Sequence, residues 1–255
     1  NPTALARAGY WQGRAAEAMN HAREARSYYA TASRYRTTYY GQLARARLGE
    51  ADIPLQTPPT PSAARRAVLH RIEVVRALAL IYAAGARDIA IPFVADVADR
   101  NTDSGVLVAM ADVSQQNRDA RAMLLIGKAA LHHGFSLEHY AFPTIGVPSY
   151  KPIGPEIDAS ILYSIVRQES AFNAKTVSSA NAYGLMQVTA EAGRYIAKKF
   201  GVTFNRKRLL DDITYNVQMG AAELGDLIRD YRGSYILTFA GYNAGRGRVR
   251  DWIAR

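Results

Sequence analysis

A mostly apolar run, Ile161-Leu162-Tyr163-Ser164-Ile165-Val166, leads to one carboxylate, Glu169, with a hydroxyl, Ser170, directly after it. A carboxyl in partly apolar surroundings has its charged form destabilised, so its pKa rises. A carboxyl that stays protonated near neutral pH suits general acid catalysis. A polar loop of small residues follows, with Thr176, Ser178, Ser179 and Asn181, and it closes on Gly184-Leu185-Met186-Gln187. Farther on, Tyr242 and Asn243 stand between Gly241 and Gly245, glycines that permit close backbone approach. Tyr, Asn, Gln and Ser supply the aromatic faces and neutral hydrogen-bonding groups that a sugar-binding groove needs. Each residue also has a plainer reading: Glu169 as an exposed acid at a helix end, Gln187 as a loop hydrogen-bonder, Tyr242 as a core aromatic, the glycines as helix caps.

The elements that must position these groups are helical almost throughout. Strand signals are scarce and no βαβ alternation occurs. The spacing predicts a helix over 156–169, an irregular loop over 173–187 with room for a short hairpin, and helices over 190–201, 212–231, 234–242 and 246–254. Asp211-Asp212 is expected to cap the helix that follows it rather than to supply a second catalytic carboxylate. Upstream, residues 4–49 read as two or three short antiparallel helices. Ala22, Ala25, Tyr29, Ala32 and Ser33 share one side at helical spacing, and Tyr10, Trp11, Tyr28, Tyr29, Tyr35, Tyr39 and Tyr40 are expected to fill the gaps between small residues, as in helical-repeat arrays. Ile53 to Pro61 carries four prolines and reads as a linker. Helices are then expected over 62–70, 71–85, 87–99, 103–115 and 117–134, with Asp88, Asp103 and Asn117 as N-caps or first-turn residues. A second Pro- and Gly-rich break over 142–155 precedes the part that carries the chemistry.

The bulk properties exclude several classes. The chain has 255 residues, 49% hydrophobic and 21% charged, which fits a globular protein and not an extended disordered one. No run reaches the roughly 18 apolar residues of a membrane helix; Val74 to Ala86 is too short and is interrupted by Arg76. With no cysteine, disulfides, thiolate metal sites and a Cys nucleophile are ruled out. The net charge of +10 is spread evenly, with 17 Lys and Arg against 12 Asp and Glu in residues 1–150 and 15 against 10 in 151–255. Nucleic-acid binding calls for a clustered basic face, whereas a diffuse positive field suits a large carboxylate-rich polyanion such as a cell wall, or simple solubility. His132, His133 and His139 make a poor metal site, because adjacent histidines on a helix point about 100° apart and no carboxylate stands at a ligand spacing. Gly245-Arg246-Gly247 lacks the strand and the Lys-Ser/Thr of a phosphate loop. No metal or cofactor is expected.

Glu169-Ser170, Gly184-Leu185-Met186-Gln187 and Tyr242-Asn243-Ala244-Gly245, in this order and with Gln187 eighteen residues after Glu169, resemble the fingerprint of the soluble lytic transglycosylases, enzymes that cut bacterial peptidoglycan. Tyr39-Tyr40-Gly41-Gln42-Leu43-Ala44 is similar to the helical-array segment of their large members. The resemblance implies an all-α protein: the end of a helical array over 1–52, a proline-rich linker over 53–61, a helical linker domain over 62–150, and a lysozyme-like catalytic domain over 151–255 with a small irregular or β-hairpin loop. It implies that Glu169 is the only acid/base. Glu169 would protonate the glycosidic oxygen between N-acetylmuramic acid and N-acetylglucosamine, then take the proton from the muramic acid C6 hydroxyl as that oxygen attacks C1. A 1,6-anhydro sugar results without water, which is why one carboxylate suffices where most glycosidases use two. Ser178, Gln187, Tyr242, Ser170, Met186 and Asn243 would bind or position the sugar. The implied partner is the peptidoglycan strand, with no nucleic acid and no membrane span; proteins of cell-wall synthesis or secretion machinery are further partners left open. The implied location is the periplasm, with a signal peptide already removed from a chain that opens on Asn-Pro. A lysozyme-like muramidase and a catalytically silent wall-binding scaffold are the alternatives.

Three departures from the family pattern stand out. Ser179 and Asn181 replace a common Pro and Gly, and Asn tolerates left-handed geometry better than most residues. Thr189 replaces a Met near the cleft floor. The chain also stops at Arg255, before a helical tail with a Glu and a Tyr that the large members carry.

Overall fold

The computed structural model describes residues 2–50, 55 and 62–255. The proline-rich linker expected over 53–61 therefore falls, Leu55 excepted, outside the described residues. Two compact units emerge, Asn1–Pro143 and Thr144–Arg255.

The first unit is all helix among its described residues. Helices α1 (Pro2–Ala18), α2 (Ala22–Ser33) and α3 (Tyr39–Leu48) pack on one another. Their core is Tyr10, Ala16, Ala25, Tyr29, Ala32 and Ala44, with Tyr40, Leu43 and Leu48 against it. Close approach explains the small residues: a Cβ on Gly13 would lie 2.5 Å from the Tyr29 ring. The expected aromatic filling holds for Tyr10, Tyr29 and Tyr40, whose rings meet at 5.6–5.8 Å. It fails for Trp11, Tyr28 and Tyr39, which are exposed, because each neighbours an inward residue in sequence and is turned about 100° away on the helix. Ala22 likewise faces solvent.

Helices α4 (Ala63–Leu69), α5 (Glu73–Ala83), α6 (Arg87–Arg100), α7 (Ser104–Gln116), α8 (Ala120–His132) and α9 (Glu138–Ala141) complete this unit. α7 is its centre, buried from Val106 to Ala111. The Asp103 side chain caps it, accepting from Gly105 N at 2.8 Å. Asn117 is not the cap of the next helix. It closes α7 at its C-terminus, and its Nδ2 donates to Val113 O at 2.9 Å. Asp119, two residues on, caps α8 by accepting from Ala122 N at 3.0 Å. A carboxylate at the N-cap also meets the positive end of the helix dipole, an advantage Asn lacks.

The second unit carries α10 (Ala159–Glu169), a two-stranded antiparallel hairpin of β1 (Ala182–Tyr183) and β2 (Val188–Thr189), then α11 (Ala190–Phe200), α12 (Arg208–Asp211), α13 (Ile213–Asp230), α14 (Tyr235–Ala244) and α15 (Arg246–Ile253). The register pairs Ala182 with Thr189 and Tyr183 with Val188. The short α12 was not expected from the sequence. α13 is the spine. It packs against α11, α12, α14 and β2 and buries Tyr215, Val217, Met219, Leu224 and Leu227. Asp212 caps it as expected, accepting from Tyr215 N at 2.9 Å.

Candidate active site

Helix α10 starts at Asp158, whose carboxylate accepts from Ser160 N at 2.7 Å, and buries the stripe Leu162, Ile165 and Val166. It ends on Glu169. The Ser170 hydroxyl is buried and donates to Val166 O at 3.2 Å, so it finishes the helix. The next two residues have left-handed backbones, Ala171 at φ 49° and Phe172 at φ 62°. Non-glycine residues there cost on the order of 1–3 kcal/mol each, and such strain clusters at functional sites. The two turns take the chain sharply off the helix and leave Glu169 at its tip. Glu169 is half-buried and has no hydrogen-bond or ion-pair partner among the described residues. Burial alone pushes its carboxyl above the usual carboxylate range.

The loop after it is held by its own polar groups. Thr176 O accepts from Gly184 N at 2.9 Å and from Gln187 Nε2 at 3.1 Å, and the same Nε2 donates to Gly184 O at 2.9 Å. The Ser178 hydroxyl accepts from Ala182 N at 3.1 Å. Asn181 takes the left-handed φ of 55° that its side chain tolerates. Asn216 of α13 then fastens the Gly-Leu-Met-Gln segment from below. Its Oδ1 accepts from Met186 N at 2.9 Å, and its Nδ2 donates to Tyr183 O at 2.7 Å and Leu209 O at 2.8 Å. Gly184 has φ 72°, and a Cβ there would sit 2.5 Å from Asn216 Nδ2. The Met186 side chain is fully buried against Gly220.

Tyr242 comes from α14, which lies close on α13 because Gly241 has no side chain: a Cβ there would be 3.0 Å from Leu227. The Tyr242 hydroxyl donates to Met186 O at 2.7 Å. Burial first, then the negative charges of Glu223 and Glu169, push its pKa well above that of an ordinary phenol, so it remains a donor. Beside it opens a cleft of about 500 Å³ whose lining includes Tyr195, Glu223, Tyr242, Asn243, Arg246 and Arg248, with Thr189 and Gly241. Thr189 also caps α11, accepting from Ala192 N at 3.1 Å. Glu223 is half-buried on α13. Burial pushes its carboxyl up to about 7; Arg246 opposes the shift, and the charges of Asp226 and Glu169 add to it.

The structure joins Tyr242 to the Met186 backbone, with Asn243 exposed on the cleft; Glu169 does not line that cleft, and its charge is felt at Tyr242. The Ser170 hydroxyl, the Ser178 hydroxyl and the Gln187 amide nitrogen are engaged by the backbone, and none of the three residues lines the cleft. Sequence reasoning missed Glu223 and Asn216. Glu223 had a signal, since it is the one acid in the otherwise apolar or small run Met219-Gly220-Ala221-Ala222-Glu223-Leu224.

Residues 152–255 match the family described as "Transglycosylase SLT domain". The match covers less than half of the chain and takes in the Glu-Ser, Gly-Leu-Met-Gln and Tyr-Asn-Ala-Gly stretches. Among curated relatives, the soluble lytic murein transglycosylase of Escherichia coli K12 is 37% identical over 102 residues, covering 39% of this chain and 16% of that protein. The membrane-bound lytic murein transglycosylase C of Sodalis glossinidius is 35% identical over 108 residues, covering 39% of this chain and 30% of that protein. The matched stretch therefore spans less than a third of the length of either relative. Among solved structures, the 70 kDa soluble lytic transglycosylase SLT70 of E. coli superimposes with a TM-score of 0.74 at 23% identity, over 96% of this chain and 39% of that one. An inactive Glu-to-Gln mutant of lytic transglycosylase Slt from Pseudomonas aeruginosa gives 0.68 at 25%, over 97% and 40%. The fold is the all-α fold of SLT70, with the small hairpin as its β-structure among the described residues. No helix among the described residues is long and apolar enough to cross a membrane.

Proposed function

We propose that this protein is a peptidoglycan lytic transglycosylase with Glu169 as its acid and then its base. One observation carries the reading: a half-buried carboxyl, free of hydrogen-bond and ion-pair partners among the described residues and with its pKa raised, sits at the tip of α10 inside a matched SLT domain. In its resting, protonated form Glu169 donates to the glycosidic oxygen between N-acetylmuramic acid and N-acetylglucosamine, and the C1–O bond breaks. The muramic acid C6 oxygen bonds to C1, and its proton passes to the Glu169 carboxylate. The group is thereby restored, no water is consumed, and the product carries a 1,6-anhydro end. Tyr242 braces the Met186 carbonyl, Asn243 meets the sugar in the cleft, and Ser170, Met186, Ser178 and Gln187 fix the loop that shapes it. We assign the site of action to the periplasm and the substrate to glycan strands. We assign residues 1–52 to the end of a helical array and 62–150 to a linker domain before the catalytic domain of 151–255.

The test is mass spectrometry of muropeptides released from purified sacculi. Anhydro ends, one water lighter than reducing ends, are expected. Reducing ends would make the protein a muramidase, and no release would favour a silent scaffold. Glu169→Gln keeps the shape and removes the proton; it should lower turnover by about 10²–10⁴-fold with the fold intact by circular dichroism.

A further inference from the structure

Helix α14 reads Tyr-Ile-Leu-Thr-Phe-Ala-Gly-Tyr-Asn-Ala, with no charged side chain. Thr238 and Gly241 turn one side of it to the core. On the other side Tyr235, Phe239 and Asn243 follow one another at i, i+4 and i+8, and all three are exposed. Residues four apart on a helix are surface neighbours, so these three make one continuous stripe. Its far end is built: the Tyr235 and Phe239 rings lie 6.0 Å apart with only 13° between their planes. Its near end is in the cleft, because Asn243 is part of the cleft lining. Tyr235 is 52% and Phe239 38% exposed, and Ile236 beside them is 83% exposed. Single exposed apolar residues are ordinary, whereas a contiguous patch marks a binding surface. The Tyr235 hydroxyl makes no hydrogen bond among the described residues.

We propose that Tyr235 and Phe239 form an aromatic platform that carries the glycan strand outward from the cleft, so that this protein favours long strands over short ones. This rests on the reading of the cleft as the sugar site. The occupant follows from the continuity of the stripe with Asn243 and from its chemistry. A pyranose ring presents one face of polarised C–H groups, which the negative face of an aromatic ring attracts, while its hydroxyl and acetamido groups seek neutral polar partners. The stripe offers that alternation: the Asn243 amide, the Phe239 ring, then the Tyr235 ring with its free hydroxyl. Eight residues of helix rise about 12 Å, the scale of a disaccharide, so one repeat of the strand spans it. The absence of charge along α14 suits sugar rings rather than the carboxylates of the strand's peptides.

Two measurements test this on the whole chain. The first is NMR titration of wild type with a hexamer of N-acetylglucosamine, which needs neither turnover nor a variant. The ring signals of Tyr235 and Phe239 should shift together with the Asn243 side-chain amide, at one common midpoint. An Asn243 shift with both rings unmoved, or no shift at any of the three, overturns the platform; the first result leaves the stripe to a protein partner. The second is kcat/KM on long purified strands relative to a substrate of two disaccharides, for wild type and the double variant Tyr235→Ala, Phe239→Ala. The ratio should fall by about tenfold, the scale of one good aromatic contact, and Phe239→Tyr, which keeps the ring, should hold it. An unchanged ratio, or an equal loss on both substrates, overturns the proposal. If wild type releases no anhydro ends, the parent reading falls while the titration still decides the platform.

Discussion

Asp226 and Glu223 lie one turn apart on α13, and the protein treats them oppositely. Asp226 is wholly buried and meets Lys199 Nζ at 2.7 Å, Arg229 Nη2 at 2.7 Å and Arg246 Nη2 at 2.9 Å. Glu223 is desolvated too, yet no cation or donor among the described residues touches it. Burial is common to both, so burial does not by itself make a carboxyl reactive. What differs is compensation. Where opposite charge is supplied, the acid is a structural rivet that ties α11, α13 and α15 together. Where it is withheld, at Glu223 and at Glu169, burial raises the carboxyl's pKa, at Glu223 to about 7.

Breaking the rivet should give the larger effect. Asp226→Asn leaves three cations facing a neutral amide, and removal of one partner from a buried ion pair costs roughly 3–5 kcal/mol. A thermal midpoint within a degree of wild type would refute the contrast. The same substitution frees Arg246 to approach Glu223 and should pull the Glu223 titration below about 7, which sharpens the comparison. The opposite sign is expected for Glu223→Gln. The folded Glu223 carboxyl has its pKa raised from 4.5 to about 7, so the folded state binds the proton more tightly than the unfolded chain. Its cost to stability is absent below about pH 4, grows as pH rises through that window, and is complete above it. Glu223→Gln should therefore match wild type at low pH and be more stable by about 1–3 kcal/mol at pH 8, the upper figure being reduced by solvent that enters the cleft. Denaturant unfolding at the two pH values reads this directly, and a variant less stable than wild type at pH 8 contradicts it.

What was legible in the sequence was local. The apolar run before Glu169, the breaker residues after it, the Asp212 cap and the left-handed Asn181 each follow from near neighbours in the chain. The helical class followed from periodicity, and the possible hairpin from the loop composition. The rest depended on what faces a residue across space. Glu223 reads as one acid in a helix interior, and nothing within α13 says that Arg246 is already engaged by Asp226. Asn216 reads as an ordinary helical Asn, yet its three hydrogen bonds hold Met186, Tyr183 and Leu209. The inward set of tyrosines in α1 to α3 failed at Trp11, Tyr28 and Tyr39 for a related reason: aromatic content does not reveal which side of a helix meets a neighbour. Asn117 and Asp119 are a narrower case, in which two polar residues near one junction divide the work of closing α7 and opening α8.

The smallest effect expected is also the one that best separates bracing from chemistry. Tyr242→Phe keeps the ring and deletes the hydroxyl that donates to Met186 O at 2.7 Å. One neutral hydrogen bond contributes about 0.5–1.5 kcal/mol, so the thermal midpoint should fall modestly, well short of Asp226→Asn. The hydroxyl engages a loop carbonyl rather than the Glu169 carboxylate, so turnover should fall by much less than the loss expected for Glu169→Gln. Tyr242 feels the charges of both Glu169 and Glu223, and the Met186 backbone it braces belongs to the loop that shapes the site. If that brace matters most when the sugar reaches its transition state, kcat drops while KM holds, since only interactions strengthened in the transition state accelerate chemistry. A lowered midpoint with kcat unchanged would make Tyr242 a structural brace and leave Glu169 as the titrating group.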